Sequence, residues 1–177
     1  HRYTDRPFRP SSIPKNEQEA AEAVQAALQN AVKLRLRSDV EVGLYLSGGL
    51  DSTITSALAG QLSEQPLRCF SVTFEDSHYD EADFQQQAAR RLGLSIESLR
   101  VSHRDIRASL PDIVKHAETS LFRTAPVPLY LLAKHVHQAG IKVVLTGEGA
   151  DEIFLGYDIF KEAWFIEHYD QFRDDEE

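Results

Sequence analysis

Apolar residues return along this chain in two rhythms, and their alternation predicts its architecture. Between 17 and 37, Ala20, Val24, Ala27, Leu28 and Ala31 recur every three or four positions, the stripe of an amphipathic helix. Asn16 precedes that stripe with Glu19 three residues on, a variant of the paired cap that satisfies the first N–H groups of a helix. Short apolar runs follow at Val42-Gly43-Leu44-Tyr45-Leu46, Arg68-Cys69-Phe70-Ser71-Val72-Thr73-Phe74, 95–101 and Lys142-Val143-Val144-Leu145-Thr146, each the length of a buried strand. Helical sequence fills the intervals: from about 50 to 62, 80–92, 105–117, 128–138, and onward from about 150 to 172. Gly93 and Gly140 stand where helices end, suited to the left-handed backbone that closes them. Strands alternating with helices predict an α/β domain with a mainly parallel sheet flanked by helices. No internal repeat or low-complexity tract interrupts the pattern.

The first fifteen residues stand apart. Pro7, Pro10 and Pro14 among Arg2, Arg6, Arg9, Ser11 and Ser12 disfavour a helix and predict an extended linker over 1–15, with the folded unit over 16–177. The tail Asp174-Asp175-Glu176-Glu177 is expected to be a solvated helix end. A length of 177 residues with 42% hydrophobic and 27% charged residues suits one globular domain and argues against global disorder. Asp and Glu number 28 against 19 Lys and Arg, and the net charge of −9 disfavours nucleic-acid or anionic-membrane partners. Apolar runs such as 127–133 fall far short of the ~20 residues that span a bilayer, and the polar N-terminus is no signal peptide. Cys69 is the single cysteine, which excludes an internal disulfide framework and a multi-thiolate zinc site and suits the reducing cytoplasm. Methionine is absent even from position 1, so the chain is expected to be a piece of something longer.

Candidate chemistry gathers at two turns. Ser47-Gly48-Gly49-Leu50-Asp51-Ser52 joins an expected strand to an expected helix. Its glycines permit a tight turn and close approach of a ligand, and the new helix offers unpaired N–H groups to an anion. No Gly-Lys-Ser/Thr follows, so this is not a Walker loop, and the dinucleotide spacing is absent too. Asp51 would repel phosphate unless a cation such as Mg²⁺ lay between them; the plainer alternative is that Asp51 favours its own helix N-terminus. The second turn, Gly147-Glu148-Gly149-Ala150-Asp151-Glu152, presents three acids after the fourth expected strand. Half a nucleotide fingerprint is visible there, but Glu152 stands in the place of the third glycine. Helix capping is the simpler role for Glu152. In a parallel sheet both turns leave from the same edge, so Asp51 and Asp151 can face one metal–phosphate group.

These two turns make the sequence recognisable. Ser47-Gly48-Gly49-Leu50-Asp51-Ser52 resembles the pyrophosphate loop of the ATP pyrophosphatase superfamily, which is shared with GMP, NAD and argininosuccinate synthetases and tRNA-modifying enzymes. Thr146-Gly147-Glu148-Gly149-Ala150-Asp151-Glu152, with Gly156-Tyr157 beyond, resembles the matching block of the asparagine synthetases. Phe70-Ser71-Val72-Thr73-Phe74 and Thr124-Ala125-Pro126-Val127-Pro128-Leu129-Tyr130-Leu131 fit the same family, so the resemblance reaches from the linker to about Lys161. It implies an adenine-nucleotide α-hydrolase-like (ATP pyrophosphatase) core. It also implies adenylation of the aspartate side chain by Mg-ATP with release of pyrophosphate, followed by attack of ammonia to give asparagine and AMP. Position by position, Ser47, Gly48, Gly49, Asp51 and Ser52 would hold pyrophosphate, Asp51 and Asp151 would bind Mg²⁺, and Tyr45, Val72, Thr146 and Gly147 would line the AMP site. Glu148 would assist acyl transfer as the base for the attacking nitrogen.

The related β-lactam synthetases resemble this block with a tyrosine at the place of Glu148, so glutamate favours an amide-forming, ammonia-using enzyme. The family's glutaminase domain, with its N-terminal nucleophilic cysteine, and its later helical portion are not in this sequence. The expectation is therefore the nucleotide-binding part of a larger synthetase whose ammonia comes from glutamine. A catalytically incomplete nucleotide-binding module and a β-lactam-type synthetase acting on another carboxylate are the alternatives; tRNA modification finds neither a basic patch nor a cysteine pair. A homodimer is compatible with the sequence but not specified by it. Cys69 is expected in the core, His135 and His137 in structural or surface roles, and Arg123 at the surface or on substrate.

Overall fold

The computed structural model describes residues 14–169. Asn16 caps α1 (Glu17–Arg35), its side-chain oxygen accepting from Glu19 N at 2.8 Å. Then follow β1 (Val42–Tyr45), α2 (Leu50–Leu62), β2 (Arg68–Phe74), α3 (Ala82–Leu92), β3 (Ser95–Val101), α4 (His103–Ala117), α5 (Pro126–Gln138), β4 (Val143–Leu145), α6 (Ala150–Phe154) and α7 (Asp158–Glu167). The four strands form one parallel sheet in the order β3-β2-β1-β4. The α/β class with a parallel sheet is the one predicted.

Side-chain alternation along the strands builds a core on each face of the sheet. Leu44, Leu46 and Cys69 turn to one face and meet Val32, Leu58, Ala59 and Ala89 from α1, α2 and α3. Phe70 turns to the other and meets Leu132, Val136 and Ile141, with Tyr45, Val72 and Leu99 packed around them. Leu44, Leu46, Cys69 and Phe70 are wholly buried, as strands covered on both faces require. Near the start of β2, Arg68 Nη2 contacts Glu97 Oε1 at 2.6 Å while its Nη1 donates to Ala139 O at 3.1 Å, tying β2, β3 and the end of α5 together. His135 stands beside that clamp, 3.9 Å from Glu97 Oε2 and edge-on to Phe70, which is the structural role expected of it.

Several boundaries differ from those predicted, each for a local reason. The first helix stops at Arg35 rather than 37, with Leu36 as its cap. The fourth begins before 105, because Ser102 caps it and Asp105 closes a reciprocal box onto Ser102. Hydrogen bonds from Ser102 hold the Asp105 carboxyl below the ordinary carboxylate range. The fifth begins at Pro126, since proline lacks the N–H that the first helical turn leaves unpaired anyway. The stretch after 150 is not one helix: Leu155 adopts a left-handed φ of 59°, and Gly156 folds back so that its N–H meets Asp151 O at 2.9 Å. Neither α6 nor α7 has a buried side chain. Residues 1–13 of the linker expected over 1–15, and the acidic tail at 174–177, lie outside the described residues. Among the described residues no helix is long and apolar enough to cross a membrane.

Burial pushes the Cys69 thiol up to about 11, as its place in the core requires. The folded protein is thus expected to react with a thiol-disulfide reagent at pH 8 on the order of a hundredfold more slowly than in urea. Equal rates would place Cys69 outside the core.

Candidate nucleotide site at the sheet switch point

The strand order places β1 and β4 side by side although β1 continues in the opposite direction, into β2. This is the point at which ligands bind outside the carboxyl ends of a parallel sheet. Both glycine turns leave the sheet there.

The first turn is held by its own hydroxyls. Ser47 and Ser52 Oγ atoms lie 2.9 Å apart, Ser47 N donates to Ser52 Oγ at 3.2 Å, and Thr53 Oγ1 donates to Gly49 O at 2.7 Å. Gly48 has φ +87°, and a Cβ there would stand 3.0 Å from Gln85 N and 3.1 Å from Phe84 Cβ, so backbone conformation and close packing on α3 both call for glycine. Gly49 caps α2 without a side chain, so no side-chain cap takes up the N–H groups of the first turn.

The second turn lies directly on the first. A Cβ on Gly147 would meet Ser52 N at 2.8 Å and Asp51 Cβ at 3.0 Å, so the β4 turn packs against the opening turn of α2. Glu148 N donates to Thr146 Oγ1 at 3.3 Å, and Gly149 takes φ +90°. Gly156 packs so closely on Asp151 that a Cβ there would collide with Asp151 Oδ1. Tyr157 Oη donates to Glu152 Oε1 at 3.0 Å; that bond, reinforced by neighbouring carboxylates, raises the tyrosine's pKa.

Between the turns lies a cavity of about 360 Å³. Tyr45, Ser47, Gly49, Asp51, Ser52, Val72, Thr146, Gly147, Glu148 and Asp151 all line it, while Gly48 lies behind the wall against α3. Burial raises the Tyr45 pKa and keeps its hydroxyl protonated. Asp51 and Asp151 are half-buried and Glu148 is exposed. Among the described residues lining the cavity, the acidic side chains are Asp51, Glu81, Glu148 and Asp151, with no Lys, Arg or His. Polyphosphate entering such a cavity needs a cation, and Mg²⁺ takes one or two carboxylates and fills its shell with phosphate oxygens and water. Asp51 and Asp151 fit that demand. No group of three or more His, Cys, Asp or Glu able to hold a metal by side chains alone occurs among the described residues.

The asparagine synthase family profile matches residues 23–174. The chain belongs to the asparagine synthase family. Over 164 residues it is 35% identical to an asparagine synthetase (glutamine-hydrolyzing) of Bacillus subtilis, covering 93% of this chain and 25% of that protein. Over 161 residues it is 37% identical to amidase chyE of Penicillium rubens, covering 83% of this chain and 24% of that protein. This chain thus spans about a quarter of the length of these curated relatives. Among solved structures, the NH3-dependent NAD synthetase of Campylobacter jejuni superimposes with a TM-score of 0.52 at 18% identity, covering 77% of this chain and 60% of that one. A glutamine-dependent NAD+ synthetase of Acinetobacter baumannii gives 0.50 at 21%, covering 84% and 29%. The fold is of the ATP pyrophosphatase type.

Family motifs do not account for the whole wall. Tyr79, Glu81 and Gln85 also line the cavity, from the segment before α3 and from α3. A signal for Gln85 was present: it shares a stripe with Ala88, Ala89 and Leu92, where a polar residue calls for an explanation. Arg123 is exposed and outside this lining.

Because backbone atoms face Gly147, a methyl group there must push the turns apart. Gly147→Ala is expected to cost about 1–3 kcal/mol in urea-unfolding stability. An unchanged midpoint would show that the turns are not in contact.

Proposed function

We propose that the full-length protein makes an amide at the expense of ATP, activating the side-chain carboxylate of aspartate and transferring it to ammonia drawn from glutamine by a glutaminase domain. One observation carries this: the Gly147 turn packs on Asp51 and Ser52, so both acidic glycine turns border one cavity at the sheet's switch point. Membership of the asparagine synthase family supports it.

In the first step a carboxylate oxygen of aspartate attacks the α-phosphorus of ATP, and the bond to the β,γ-pyrophosphate breaks. Ser47, Gly48, Gly49 and Ser52 shape the turn whose N–H groups receive the pyrophosphate oxygens. Asp51 and Asp151 hold Mg²⁺, which when bound neutralises charge on the phosphate oxygens. Tyr45, Val72, Thr146 and Gly147 seat the AMP portion. In the second step ammonia attacks the acyl carbonyl, AMP leaves, and the surplus proton passes to the Glu148 carboxylate. Glu148 is exposed at the cavity rim, where an incoming nitrogen would arrive.

A second reading, amide chemistry on a substrate other than aspartate, is favoured by the 37% identity to a protein named an amidase, chyE of Penicillium rubens. Aspartate-dependent ATP–pyrophosphate exchange by the full-length chain separates the two. Asp51→Ala is expected to lower that exchange about 10²–10³-fold. Glu148→Gln is expected to leave exchange intact while lowering amide formation about 10²–10⁴-fold. Undiminished exchange in Asp51→Ala would remove the metal role, and exchange that ignores aspartate would favour another substrate.

A further inference from the structure

Gln85 is used by none of the family motifs, yet it is 3% exposed and lines the cavity. A buried amide must match a donor end and an acceptor end. Its Nε2 donates to Val72 O at 2.9 Å. A carbonyl oxygen only accepts, so this bond settles which end of the amide is nitrogen and turns Oε1 away from Val72. Oε1 is buried and has no hydrogen-bond partner.

The carbonyl that Gln85 holds is informative too. Phe70 O accepts Leu46 N at 3.0 Å, the last bond from the β1 side, and the pairing of β1 with β2 ends at Tyr45 opposite Phe70. Val72, two residues on, turns its carbonyl the same way, beyond the end of β1 and on the cavity. Gln85 Oε1 is therefore an unpartnered acceptor on a residue of the cavity wall, beside the Val72 carbonyl that its own Nε2 engages. The first turn of α3 is also fixed to the phosphate turn, because Gln85 N abuts Gly48.

We propose that Gln85 is a specificity residue for the nucleotide base, its Oε1 accepting one N–H of an exocyclic amine such as that of adenine. A base with a carbonyl at that position would set lone pair against lone pair. This inference rests on the nucleotide reading above. A ribose hydroxyl offers the same donor chemistry, and the test separates the two sources.

Calorimetry on the full-length chain with Mg²⁺ compares ATP, inosine triphosphate and 2′- and 3′-deoxy-ATP, for wild type and Gln85→Met, which keeps the length and shape of the side chain. Wild type is expected to prefer ATP to inosine triphosphate. In Gln85→Met that preference is expected to fall about tenfold, the worth of one hydrogen bond, with affinity for inosine triphosphate nearly unchanged. Gln85→Ala, which adds no apolar bulk, is expected to show the same fall, and thermal unfolding confirms that each variant is folded. Equal loss for both triphosphates, as from a role only in pinning α3 to β2, overturns the proposal. So does a change confined to the deoxy-nucleotide comparison, which places the donor on the ribose. Wild type that binds none of the nucleotides overturns the nucleotide reading itself, and this inference with it.

Discussion

The site depends on the bare backbone of Gly147 lying against the first turn of α2. Every feature that bears on chemistry follows from that contact. It exists because β1 and β4 are neighbours in the sheet, so two turns that leave their carboxyl ends have nowhere to go but against each other. Residues 100 positions apart in sequence, Asp51 and Asp151, thereby reach one cavity. A side chain at 147 would wedge the two turns apart, and a different strand order would send them to different crevices.

The charge of the cavity follows from the same meeting. Each turn brings a carboxylate to a place where unpaired N–H groups invite an anion, and these two tendencies conflict unless a cation lies between them. A surface made only of donors would hold bare phosphate. On the proposed reading, Asp51 and Asp151 would make the site favour a magnesium–polyphosphate over either ion by itself. The same logic would reconcile the net charge of −9 with the proposed use of ATP.

Much of this was legible in the sequence because the strongest signals are local. The runs around Leu44 and Phe70 are too apolar for anything but covered strands, and the glycines at 48 and 147 mark where the backbone must turn or approach closely. Helix ends were less legible. Ser102 and Asp105 form their cap by reciprocal hydrogen bonds that a periodicity of apolar residues does not register. Leu155 is an ordinary helix former whose left-handed conformation is imposed by Gly156 folding onto Asp151, a contact invisible to local propensity. Gln85 escaped for a related reason: its role depends on the carbonyl of Val72, freed because β1 is shorter than β2. That mismatch belongs to the sheet and to neither segment.

The proposed shared site for metal and polyphosphate is tested most directly by pyrophosphate binding to the full-length chain, measured by calorimetry in Mg²⁺ and again in a chelator. With four carboxylates and no basic side chain among the described residues around the cavity, affinity is expected to fall on the order of a hundredfold when the cation is removed. Asp51→Asn and Asp151→Asn should each narrow that difference. Equal affinity with and without Mg²⁺ would contradict a site in which the two turns hold the metal and the phosphates together.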